Sequence, residues 1–244
     1  MKLIMKKVAA IILLLSFLCN ISYAENESLK SLLGKCNESE LKQLTDIVGG
    51  DATSIISNLS WAYGNAITGP YRSLFDSEVP YSTILRSVAR RMKITVYDYW
   101  DDKTIEGKIF ENYLEAMWSG LTAEQKQQVL DNIAKELKDK GVDPSKIKGL
   151  VASTSISALI FTVTSLGFTP YIALTTFIHA IGVVIGVTFP FVVYTSATYL
   201  LSVLTGPVGW GLAIAAGVWY FFNTNYTTLT KFTIAKHVIE LSKS

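Results

Sequence analysis

Two histidines, His179 and His237, stand 58 residues apart in a chain whose other chemistry-bearing groups are a run of carboxylates and two cysteines. A zinc-type site needs several imidazole, thiolate or carboxylate ligands to converge, and His179 has no acid within its own apolar segment. In such surroundings a histidine is either a proton-sensitive group or a hydrogen-bonded packing residue. Asp98, Asp101, Asp102 and Glu106 crowd together in DYWDDKTIE. Acids so close could hold a cation, yet the run lacks the glycine turn of a calcium loop, and a helix start at Asp102 or Thr104 explains it more simply. There is no glycine-rich phosphate loop, serine elbow or Cys–His spacing. The residues therefore predict no enzyme, no cofactor and no metal.

The first 24 residues, MKLIMKKVAAIILLLSFLCNISYA, place Lys2, Lys6 and Lys7 ahead of an apolar run that ends in small residues at Ser22 and Ala24. That pattern predicts a signal peptide over 1–24, cleaved after Ala24, with an uncleaved anchor as the alternative; both direct the rest to the periplasm or beyond. Bulky residues before Cys19 argue against lipidation. Without this segment Cys36 is the lone thiol, which excludes an internal disulfide and reads as a small buried hydrophobe. Subtracting three lysines from 22 Lys+Arg leaves 19 against 20 Asp+Glu. A near-neutral chain gives no reason to expect nucleic acid.

Charge then divides the remainder. Residues 25–148 carry 16 Lys+Arg and 19 Asp+Glu, whereas the 82 residues of 149–230 carry none. The first part predicts an amphipathic helical domain. Asn37 with Glu40 is a capping pair, followed by Leu41, Leu44, Ile47 and Val48 at helical spacing and stopped by Gly49-Gly50. Tyr81, Ile84, Leu85, Val88 and Met92 line a second helix with a solvated basic face. A broad stripe runs from Ile105 to Trp118. Thr122 with Gln125 opens a further helix to Gly141, and these last two read as an antiparallel pair joined at Ser119-Gly120.

In 149–230 a helix has no polar face to offer water, so it must meet lipid or protein. Gly167 to Pro170, Pro190, and Gly206-Pro207 punctuate the stretch. Segments of 14 or 15 residues after the later breaks span only roughly 20–23 Å, short of a hydrocarbon layer of about 30 Å. Trp210 and Trp219 lie about 14 Å apart along a helix, too close for two interfacial belts. The expected fold class is all-α: an amphipathic bundle, two apolar hairpins turning at GFTP and TGP, and an amphipathic tail over 231–244. Gly182 and Gly186 form a GxxxG motif suited to close helix packing. Ser153, Ser157 and Thr164 make a polar seam or bond their own backbone.

CNESELKQL (36–44), YSTILRSVARRMKI (81–94), IEGKIFENYLEAMWSGLTAEQKQQVL (105–130) and LTGPVGW (204–210) resemble, in that order, the YaaW family of small bacterial proteins. Glu106, Trp118, Glu124, Lys126 and the LTGPVGW turn carry most of the likeness. The resemblance implies an all-helical fold and a bacterial source, and it transfers no activity. Family members usually lack an export signal and keep charges in their C-terminal halves.

The organisation predicts an exported membrane-active protein, a pore former or effector whose hairpins enter a lipid bilayer, by analogy with colicin-type toxins. The alternatives are a resident inner-membrane protein with a periplasmic helical domain that binds a partner, and a wholly soluble helical core protein that forms a homo-oligomer through apolar patches.

Overall fold

The computed structural model describes residues 27–68, 78–143, 155–185, 204–205, 211 and 224–243. Nine helices and no strand occur among the described residues: α1 (Glu27–Leu33), α2 (Glu38–Val48), α3 (Ile55–Thr68), α4 (Tyr81–Arg91), α5 (Asp102–Ser119), α6 (Ala123–Asp139), α7 (Ile156–Ser165), α8 (Pro170–Val184) and α9 (Thr224–Ser242). The fold class is all-α. The signal peptide and the punctuation at Gly186, Pro190, Gly206, Pro207, Trp210 and Trp219 lie outside the described residues.

Helix ends follow local chemistry. Asn37 and Glu40 form the reciprocal capping box of α2, and Thr122 and Gln125 that of α6, each satisfying two otherwise orphaned backbone donors. Asp101, rather than Asp102 or Thr104, caps α5 by accepting from the Thr104 amide at 2.8 Å. Ser155 caps α7, and Thr169 caps α8 with Pro170 in its first turn. Gly167 stops α7 at φ 94, a left-handed backbone that glycine adopts without a Cβ clash.

α4 ends differently. Lys93 occupies the left-handed region at φ 60 while the Ile94 amide reaches back to the Ala89 carbonyl at 2.9 Å. A residue with a Cβ pays a steric penalty there. Lys93→Gly should therefore stabilise the fold, by about 0.5–1 kcal/mol. A urea midpoint that falls in this variant would overturn the reading.

α9 runs through the centre of the assembly, packing on α2, α3, α4 and α5. Leu229, Phe232, Ile234, Ala235, Val238 and Ile239 are all fully buried, and the run from Phe232 to Ile239 is enclosed, while Lys231 and Glu240 keep partial exposure. The stripe of α5 also serves two neighbours, α4 and α9, and α6 packs principally on α8. In place of the antiparallel pairing expected of α5 and α6, each makes its main contacts with other helices.

The prediction of an inserting pore is corrected here. Among the described residues no helix is long and apolar enough to cross a membrane. α7 has 10 residues and α8 has 15, or about 15 and 23 Å of rise, against roughly 30 Å of hydrocarbon. One face of α8 is also occupied: Ala173, Leu174, Phe177, Ile178, Ala180 and Ile181 are buried, with α8 lying on α6 and α7, whereas Phe161 of α7 and Ile172 and Val183 of α8 face out. At these buried α8 positions, lack of charge reflects packing on α6 and α7 of the same chain.

Candidate functional site

One side chain, Arg86, reaches several carbonyls of the loop between α4 and α5. Arg86, partly buried on α4, donates to the Tyr97 carbonyl at 3.3 Å, the Asp98 carbonyl at 3.4 Å and the Trp100 carbonyl at 2.9 Å. Its planar fork suits several acceptors at once. Ile94, Val96 and Trp100 pack inward on the core. Tyr97 and Tyr99 face out, 49% and 81% exposed, with their rings stacked at 5.5 Å and 21°. Trp100 meets Tyr97 edge-on at 5.2 Å. Asp98 and Asp101 are exposed on the same turn. Hydrogen bonds from the Thr104 side chain and backbone hold the Asp101 carboxyl below its ordinary range.

His179 lies on α8 and finds its acid on another helix. Its Nδ1 is 3.3 Å from Glu136 Oε2 of α6, while Glu136 Oε1 accepts from Lys140 at 2.9 Å and from Thr176 at 3.4 Å. The pair borders an open cleft of about 440 Å³ shared with Asn132, Lys135, Asp139 and Val183. Gly182, one turn beyond His179, is buried. Sequence reasoning saw only the histidine's own segment and so had no access to Glu136. The polar seam divides likewise. Ser157 donates to Glu111 at 2.8 Å across the α5–α7 contact, whereas Thr164 bonds the Phe161 carbonyl of its own helix.

A second polar centre is buried where α9 crosses α5. Glu106 is fully enclosed, and its Oε1 accepts from Lys236 at 2.7 Å. The same ammonium donates to Glu240 Oε1 at 2.7 Å, one turn on along α9, and lies 5.3 Å above the Tyr81 ring. His237 Nδ1 is 3.8 Å from Glu106 Oε2, beyond hydrogen-bond reach, and both atoms are buried without a hydrogen-bond partner. Burial pushes the Glu106 carboxyl upward, but His237 and Lys236 more than offset it and hold the group below the ordinary carboxylate range.

No family model, curated protein or solved structure matches this chain. The residues that carry the sequence likeness nonetheless have structural work. Glu106 is the acid of the buried centre, and Trp118 is buried with Lys126 lying 5.8 Å over its ring. Of the acidic run, Asp101 caps a helix, Asp98 faces water and only Glu106 enters the core. Arg86, Lys236 and Glu240 were missed. Arg86 read as part of a solvated basic face, and a salt bridge spanning 130 residues has no local signal.

Proposed function

We propose that this chain is an exported, non-catalytic interaction protein that receives an arginine- or lysine-rich segment of a partner protein on its Tyr97–Trp100 loop. The observation that carries the reading is the Arg86 clamp on the Tyr97, Asp98 and Trp100 carbonyls beside two exposed, stacked tyrosines. Exposed aromatic area is costly to hold in water, and a loop already ordered loses little conformational freedom on binding. Tyrosine is also enriched at binding hot spots. The flanking Asp98 and Asp101 carboxylates favour a cationic partner, and a tyrosine face attracts guanidinium or ammonium groups.

Export over the signal at 1–24, kinship with the YaaW family and the arrangement of a bundle followed by apolar hairpins belong to this proposal. The turn at Gly167 between α7 and α8, which pack on each other, supports the first hairpin. In this reading α7 and α8 serve the protein's own core.

An arginine-rich decapeptide is a direct probe. It should bind the full chain at low salt and weaken as salt rises, and Tyr99→Ala combined with Asp98→Asn should reduce affinity by about tenfold or more. Equal binding by parent and variant would sink the proposal. N-terminal sequencing of periplasmic protein should begin at Glu25; recovery of an intact Met1 terminus in the cytoplasm would refute export.

A further inference from the structure

The buried centre between α5 and α9 contains an opposition that the protein's own groups leave unresolved. Glu106 Oε2 and His237 Nδ1 face each other at 3.8 Å, each enclosed and each without a hydrogen-bond partner. That separation exceeds the roughly 2.7–3.2 Å of a closed hydrogen bond. A buried polar atom left unpaired keeps its desolvation cost uncompensated. A metal ion spans the gap naturally: ligands each about 2.0–2.2 Å from zinc lie more than 3 Å apart from one another. A ligand atom from each of Glu106, His237 and Glu240 falls within 4.8 Å of the others.

The charge around the centre points the same way. Glu106 and Glu240 are set against one ammonium, Lys236, and Asp102 adds to the negative field that acts on the neighbouring Tyr81 hydroxyl. With His237 neutral, the carboxylates outnumber the Lys236 ammonium, and a further positive charge would balance them. Lys236 also occupies Oε1 of both carboxylates, which orients Glu106 so that Oε2 points toward the imidazole. Outer partners that fix a ligand's rotamer in this way are a regular part of metal sites.

We propose that Glu106, His237 and Glu240 form a site for a divalent transition-metal ion of the zinc class. The ligand set is one imidazole nitrogen and two carboxylate oxygens, with a position left for water, a composition that suits zinc and its first-row neighbours better than magnesium or calcium. Full enclosure of Glu106 makes the ion a tie between helices, joining the second turn of α5 to the C-terminal helix. The site is independent of the Tyr97–Trp100 loop.

Titration of the metal-free full chain with Zn²⁺, followed by calorimetry, should show one ion per chain and a thermal midpoint that climbs with zinc concentration. His237→Gln should weaken binding by roughly 100-fold or more, since losing an outer partner alone costs about 10–100-fold. His179→Gln, which alters the other histidine, should leave it unchanged. Absence of zinc uptake by the parent, or undiminished uptake by His237→Gln, would overturn the site. Should His237→Gln fail to fold, Co²⁺ in the parent decides. Paramagnetically shifted resonances of one imidazole, retained in His179→Gln, support the site, and their absence overturns it.

Discussion

Replacing Lys236 by methionine should destabilise the protein by about 3–5 kcal/mol, the cost of breaking a buried ion pair from one side. The ammonium is 5% exposed and serves two carboxylates at 2.7 Å each, so its loss strands Glu106 in a fully enclosed site and leaves Glu240 repelling it. Methionine fills much of the same volume, which confines the loss to charge and hydrogen bonding. Against a typical domain stability of 5–15 kcal/mol this is a large fraction. Urea unfolding followed by circular dichroism gives the value, and a loss below about 1 kcal/mol would mean that water reaches Glu106 freely. Combining Lys236→Met with Glu106→Gln should recover part of the loss, because the stranded charge is gone.

The second large effect is Phe177→Ala, with an expected cost of about 3–5 kcal/mol. Phe177 lies on α8, 2% exposed, with its ring 6.1 Å from that of Trp118 on α5. Truncation removes apolar contacts and leaves a cavity that neighbouring helices close only in part. The variant also tests where the uncharged half of the chain belongs. If α8 is core, the loss appears in aqueous buffer without lipid. A change within 0.5 kcal/mol, the usual size at an open surface, would show that α8 does not rely on α5 and α6 for its burial.

The helical class, the capping boxes at Asn37 and Thr122, the glycine stops at Gly49 and Gly167 and the inward face of α4 all follow from residues within one or two turns of each other. Such interactions are local, so type and spacing suffice to specify them. The absence of charge over 149–230 was equally legible, but its meaning was not. A helix without a polar face satisfies lipid and protein interior alike, and only the packing of α8 on α6 and α7 decides for protein there. The polar centres needed the tertiary structure for the same reason. Glu136 meets His179 across 43 residues, and Lys236 meets Glu106 across 130. No spacing rule reaches that far, because which side chains face one another is set by how whole helices dock.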